Sequence, residues 1–192
     1  MDSYLDDLFT PAVLAVQQRK GANGAYPVGA SGPNALSEHE VAHITASDSF
    51  YLSTVSESGW PYTQHKGGDT GFVKVLGPTT IGWAERNGNR QYLGSGNIDA
   101  TGRIAAIFVD YPTRTRLKIR GNATYHPEPS AELRAALGAD DLRIDGAVTV
   151  DVVATDWNCP KYITPRFTEA EIQQAVAPLQ QRIAELEANQ RH

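Results

Sequence analysis

Cysteine is almost absent from this chain: Cys159 is the only one among 192 residues. That excludes an intrachain disulfide and a cysteine-built zinc site, and it makes a reducing cytoplasm the natural compartment. Long apolar runs are missing too. None approaches the roughly 18 residues needed to cross a bilayer, so no membrane partner is expected. Met1-Asp2-Ser3-Tyr4 carries no basic region leading into an apolar stretch, so no secretory signal is expected. Basic charge is in deficit, with 17 Lys and Arg against 22 Asp and Glu and a net charge of −5. A nucleic-acid binder would normally present a dominant basic face, so no nucleic-acid partner is expected. No internal repeat is visible. What the chain does have is 41% hydrophobic and 20% charged residues, which suits a single domain over 1–192 with a sizeable core.

Residues 1–48 read as a helical extension. Thr10-Pro11 supplies an N-cap followed by proline at the first helical position, with Val13, Leu14 and Val16 behind it. Gly21 to Pro33 is rich in Gly, Ala and Pro and reads as a loop. Ser37 and Glu40 form a capping box for a short helix through Val41 and Ile44. From Phe50 the period changes. Phe50–Val55 is aromatic and β-branched, Glu57-Ser58-Gly59 is a turn, and Trp60–His65 returns as the second strand of a hairpin. Phe72–Leu76 is a short extended piece and Thr79–Ala84 the third main strand. Asn89–Ile98 is predicted as a short helix. Ile104–Val109 is nearly all apolar, as in a strand buried on both faces. Leu117–Tyr125 alternates and reads as half-buried. Ser130–Leu137 is a helix ended by Gly138, and Ala147–Ala154 is the last strand. Hairpin-length connections between these strands predict an antiparallel barrel or sandwich rather than a parallel sheet.

The tail, 168–190, is predicted as a C-terminal helix. Thr168 and Glu171 make a capping box, and Ile172, Val176, Leu179, Ile183 and Leu186 follow at spacings of 4, 3, 4 and 3. That is an apolar seam of period 3.5. Pro178 falls inside it and is expected to kink or restart the helix. The seam either packs on the protein's own barrel, the reading preferred for the helix taken alone, or contributes to a dimer interface.

Two segments carry the candidate chemistry. In Gln64-His65-Lys66-Gly67, strand alternation sends Gln64 and Lys66 to one face and His65 to the other. Lys66 offers three donors and a charge, and Gly67-Gly68 allow a close backbone approach. The alternative is a solvated strand end. In Gly88-Asn89-Arg90-Gln91, a helix start with free N–H groups favours an anion, and Arg90 can grip phosphate in bidentate fashion. The alternative is an ordinary helix start with a surface Arg. Together the two segments, either side of Thr79–Ala84, read as a phosphate clamp. Arg114, Arg116, Lys118 and Arg120 alternate onto one strand face, which is either a solvated basic face or part of an anionic ligand site. His39 and His43 have the i, i+4 spacing of a metal pair, but the helix lacks a third ligand, so solvent exposure is expected and no metal site is assigned. Cys159 is expected to be packed rather than reactive, Trp157 is equally a core plug or a lid, and His126 is expected at a strand end.

Phe50–Tyr125, with its hairpin, polar strand end, Asn-Arg-Gln segment, apolar strand and Leu117-Lys118-Ile119-Arg120-Gly121, resembles the core of the flavin mononucleotide (FMN)-binding split barrels related to pyridoxamine 5'-phosphate oxidase. The tail Trp157–Phe167 resembles the bacterial flavin-nucleotide-binding branch of that family. The resemblance implies a mainly β fold, a six-stranded antiparallel split β-barrel with flanking helices at both termini. It implies FMN as cofactor and a homodimer with FMN at the subunit interface. Carried over by position, Gln64, His65, Lys66 and Gly67 line the flavin, Gly82, Trp83 and Ala84 lie behind it, and Asn89, Arg90 and Gln91 hold the phosphate. Arg116 reaches the flavin from the partner subunit, at a position where the oxidases carry a glutamine. Trp157, Asn158 and Lys161 fall on the substrate side. The residues that bind pyridoxamine phosphate in the oxidases are not recognisable, so that activity itself is not expected. The implied activity is FMN-dependent oxidoreduction between a donor such as NAD(P)H and a small acceptor, with no catalytic residue named. The open alternatives are a flavin carrier or sensor without turnover, and a split-barrel dimer that binds another anionic ligand or haem.

Overall fold

The computed structural model describes residues 5, 8–22, 35–140, 142–157 and 161–190. Two helices precede the sheet. α1 (Pro11–Arg19) starts on the Thr10 cap with Pro11 at its first position, and it buries none of its residues. α2 (Glu38–Ala46) starts on the full Ser37–Glu40 capping box. Most of the Gly21–Pro33 loop lies outside the described residues.

The expected six strands are seven, in one antiparallel sheet. They are β1 (Ser49–Val55), β2 (Pro61–Gly67), β3 (Lys74–Val75), β4 (Thr80–Arg86), β5 (Arg103–Asp110), β6 (Thr115–His126) and β7 (Ile144–Trp157), in the order β2-β1-β5-β6-β7-β4-β3. The additional strand is the short extended piece after Gly71. A tight turn in which Leu76 N–H donates to the Thr80 carbonyl folds it back on β4, so two of its residues gain a ladder. β7 is longer at both ends than the predicted Ala147–Ala154, because pairing with β6 carries it on to Trp157 opposite Leu117, and pairing with β4 carries it back to Ile144 opposite Arg86. Pairing to a neighbouring strand stabilises end residues that carry no apolar alternation of their own.

The sheet curls on itself. Phe50 of β1 packs edge-on against Trp83 of β4, with ring centroids 5.1 Å apart, and stacks with Phe72 and Phe108. Residues from both halves of the sheet, among them Leu52, Ile81, Phe108, Leu117, Ile119, Val148 and Val150, form one buried core. Burying each such side chain contributes about 1.5–3 kcal/mol relative to exposure. Edge strand β2 has no ladder to β4, and β3 covers β4 only at Ile81 and Gly82. The barrel is therefore split between β2 and the C-terminal half of β4.

α3 (Leu93–Thr101) crosses near this split, and α4 (Ala131–Ala136) lies in the β6–β7 connection. The expected helix over Asn89–Ile98 is displaced: Asn89-Arg90-Gln91 is a loop and the helix begins at Leu93. The cause is local. Arg90 and Tyr92 adopt left-handed φ of 61° and 51°, which no helix can contain. The tail forms α5 (Glu169–Gln190), which runs through Pro178 as one helix instead of restarting there. One lost i→i−4 bond leaves the turns on either side intact. The preferred reading of this helix fails, since Glu169–Asn189 are exposed throughout and the seam does not pack on the barrel. Among the described residues no helix is long and apolar enough to cross a membrane.

Candidate functional site

The split in the barrel holds a polar pocket of about 130 Å³. Its walls include Gln64 and Lys66 from β2, Glu85 from β4, Arg90 from the loop, Gly94 from α3 and Tyr125 from β6. Alternation on β2 behaves as expected. Gln64 and Lys66 face the pocket, while His65 turns outward and meets the Tyr51 ring edge-on at 5.5 Å. Gly88, Asn89 and Gln91 also line the pocket, so both segments of the predicted clamp converge on one cavity.

They arrive by different routes. β2 brings its groups along a strand edge. The Asn89 loop is held by an Asx turn, in which Gln91 N–H donates to Asn89 Oδ1 at 3.1 Å. Tyr92 Oη donates to Asp145 Oδ2 at 3.2 Å and ties the loop to β7. The left-handed Arg90 and Tyr92 store backbone strain at this spot. No side chain caps α3, so its first N–H groups stay available beside the pocket wall at Leu93, Gly94 and Ser95. The positive end of that helix favours an anion there.

Gln64 Nε2 is buried and makes no hydrogen bond. A buried amide N–H left without a partner costs about 1–3 kcal/mol, so the group calls for an acceptor in the pocket. Gly94 makes the position possible: a Cβ there would lie 1.9 Å from Gln64 Nε2. Gly146 does similar work on the opposite wall, since a Cβ would meet Tyr125 and the His126 carbonyl at 2.7–2.8 Å. With that space open, Tyr125 Oη donates to the Asp145 carbonyl at 2.8 Å. Burial pushes the Tyr125 phenol above its usual range, and Glu85, Tyr92, Asp145 and Asp99 push the same way. Tyr125 is thus held protonated, as a donor.

The pocket is not simply cationic. Lys66 Nζ donates to Glu85 Oε2 at 2.5 Å, and Trp83 Nε1 donates to Glu85 Oε1 at 2.6 Å. Lys66 is expected as a free cation, yet its charge is partly offset by a carboxylate within the site. Arg86 pairs with exposed Asp69 at 3.0 Å. Arg90 then supplies a charge with both flanking residues exposed and mobile enough to meet a ligand.

Several expected site residues lie elsewhere. Gly67 does not line the pocket, and the room at Gly68 is taken by Phe72, which a Cβ would meet at 2.7 Å. Gly82 lets β4 approach the Val148 carbonyl and Leu76, Trp83 is 2% exposed in the core, and Ala84 packs in a second small cluster with Leu137 and Ala147. Trp83 touches the site only through Glu85. Arg116 sits nine positions from Tyr125 along β6, about 30 Å away. Its Nε is buried without a hydrogen-bond partner, but it cannot join the clamp within one protomer. Arg114 leaves the basic face altogether, because it occupies the β5–β6 turn at φ 58°. Lys118 pairs with Asp156 at 3.4 Å.

Trp157 pairs with Leu117, at the end of β6–β7 remote from the pocket, so it is no lid on this site. It packs against the core and stacks on His39 at 4.2 Å, with His43 edge-on at 5.0 Å. His39 is exposed as expected, though its ring lies on the indole, whereas His43 is half-buried; helical i, i+4 spacing suits a clasp on tryptophan as well as a metal. Lys161 is exposed, with Nζ 5.2 Å from the Tyr162 ring centroid. Asn158 and Cys159 lie outside the described residues. His126 ends β6 as expected and bonds Thr149 Oγ1 at 2.8 Å.

Glu85, Gly94, Ser95, Tyr125 and Asp145 are among the pocket residues the sequence reading missed. A signal existed for Gly94, since Leu93-Gly94-Ser95-Gly96 puts two glycines into a helix, a costly choice unless something approaches closely. Glu85 lies one step past the predicted strand, and Asp145 lies in a stretch with no strand signal.

No protein-family model and no curated protein matches the chain. Solved structures do. A Lactobacillus delbrueckii protein named as a provisional pyridoxamine 5'-phosphate oxidase is 22% identical over 65% of this chain and 96% of its own, with a TM-score of 0.52. HupZ of group A Streptococcus is 16% identical over 69% of this chain and 99% of its own, also at 0.52. An FMN-binding protein of Syntrophomonas wolfei is 13% identical over 62% of this chain and 83% of its own, at 0.48. At under 25% identity, what this chain shares with the first two is the fold.

Proposed function

We propose that the pocket in the split binds the phosphate end of FMN and that the protein is an FMN-dependent oxidoreductase other than pyridoxamine phosphate oxidase. The observation that carries this is the partnerless, buried Gln64 Nε2, set beside Arg90, Lys66 and the uncapped N-terminus of α3. These groups are donors aimed at one small cavity, which suits a phosphate and the hydroxyls next to it. The fold supports the same reading.

A cavity of 130 Å³ is well below the roughly 300–1,000 Å³ of a pocket that encloses a whole cofactor. The isoalloxazine ring would lie outside it, which favours a site completed by a second copy of the chain. Arg116 is the candidate contribution from the partner. Within the protomer, Arg90 and the α3 N–H groups would hold the phosphate and Gln64 an adjacent oxygen, while Glu85 fixes the Lys66 ammonium between strands that share no ladder. Bound FMN would supply hydride and electron transfer, chemistry that belongs to the cofactor. A reduced nicotinamide is the proposed donor.

Among the described residues the pocket wall contains no histidine and no cysteine. This favours a second reading, in which the protein carries or senses FMN without turnover. The test is direct. Purified full-length protein is mixed with FMN, freed of excess by gel filtration, and its visible spectrum recorded. Retained flavin bands at one per chain are expected; their absence overturns both readings. Bleaching by NAD(P)H under anaerobic conditions then separates the enzyme from the carrier.

A further inference from the structure

The exposed helix α5 has what one particular partner requires. Its seam residues Ile172, Val176, Leu179, Ile183 and Leu186 are 52%, 37%, 63%, 56% and 46% exposed. The spacing admits one heptad frame, with Val176 and Ile183 at a and Ile172, Leu179 and Leu186 at d. β-Branched residues at a with leucine at d are the combination that favours a parallel pair of helices. The departures lie at the helix ends, with Ile172 at d and Glu169 and Gln190 falling at a.

The flanking positions agree. In this frame Arg182 is at g and Glu187 at e. A parallel pair sets each g residue beside the e residue of the next heptad on the other helix, so Arg182 meets Glu187 of the second copy, twice by symmetry. An antiparallel pair sets g beside g and e beside e, and the two charges never meet. Within one chain Arg182 only touches Glu185 at 3.0 Å, an exposed contact that competes weakly. Pro178 occupies position c, on the outward side, so its ring stays clear of the seam while the helix continues past it.

We infer that α5 pairs with α5 of a second copy of this chain as a parallel two-stranded coiled coil. This does not rest on the FMN reading. A helix of 22 residues spans about 33 Å, long enough for two full seam layers of each kind and placed apart from the barrel. A dimer formed through the barrels alone would leave this seam bare.

Site-directed cross-linking tests it in the full chain, with Cys159→Ser removing the only native thiol. Under mild oxidation Leu186→Cys, at d, is expected to give mostly covalent dimer. Gln181→Cys, on the outward side, is expected to give about fivefold less, since its Cβ atoms would be too far apart for a disulfide. Adding Arg182→Glu to Leu186→Cys is expected to lower the yield, and adding Glu187→Arg as well to restore it. Equal yields from positions 186 and 181 overturn the coiled coil. So does cross-linking of Ile172→Cys to Leu186→Cys in a mixture where neither links to itself, which marks an antiparallel pair. No recovery on charge reversal overturns the parallel register. FMN content is a separate readout, so this inference and the cofactor proposal fail independently.

Discussion

The same two strands, β6 and β7, end in opposite ways. At one end Trp157, opposite Leu117, is covered by α2. Buried Glu40 accepts hydrogen bonds there from Ser37 N–H, Ser37 Oγ and Thr155 Oγ1, while His39 and His43 clasp the indole. Ser37, Glu40 and Thr155 thus satisfy one another within the chain at this closed end, although Arg116 Nε beside Leu117 is buried without a hydrogen-bond partner. At the other end Tyr125 and Asp145 border the split, Arg90 and Tyr92 are strained, and Gln64 Nε2 has no partner. The difference teaches that the partnerless Gln64 amide stands beside a cavity, where the acceptor it lacks can come from a ligand.

Perturbing one end should move one property and leave the other. The largest effect is expected from Glu40→Ala, which removes a buried cap and its bonds to Ser37 and Thr155. It should lower stability by about 2–3 kcal/mol in denaturant unfolding and leave FMN affinity unchanged. A change in affinity would break the separation of the two ends. Arg90→Ala should do the reverse: titration should show FMN binding weakened by about 1.5–3 kcal/mol, roughly 10- to 150-fold, with unfolding hardly altered. An unchanged dissociation constant would remove Arg90 from the site. Gly94→Ala should push Gln64 aside and weaken binding about tenfold, about 1.4 kcal/mol, measured in the same titration. If affinity holds, Gln64 does not face the ligand.

The smallest effect concerns pH. Burial holds His43 below its usual pKa and the neighbouring His39 adds to this, while the Phe108 carbonyl and Asp110 oppose it. The unfolded chain therefore takes up this proton at higher pH than the folded one. Stability should be unaffected well above the unfolded value, near 6.5, and decline as pH falls through and below it. His43→Gln should flatten that slope in unfolding titrations. A slope that persists would assign it to another group.

Much of this was legible in the chain. Thr10-Pro11 and Ser37–Glu40 start their helices as read, because a cap depends on residues three apart. Gln64 and Lys66 share a face for an equally local reason, the two-residue period of a strand. Apart from the Asn89 loop, where left-handed residues displaced the helix start, the deciding contact was distant where reading failed. Nothing near Lys66 reveals Glu85, nineteen residues away, and nothing near Trp157 reveals the histidines of α2. Trp83 and Gly82 were assigned to the site because they end a strand beside it, whereas the curl of the sheet turns them into the core.

By itself the sequence determined the elements, their caps, the alternation that aims each strand's side chains, and the heptad frame of α5. These follow from backbone geometry repeated over a few residues. Only the tertiary structure decided which strand ends meet across the split, that Lys66 is offset by Glu85, that Arg116 stands about 30 Å from the pocket, and that the α5 seam is left exposed among the described residues. Those outcomes depend on how one twisted sheet closes around its core, a property of all seven strands together.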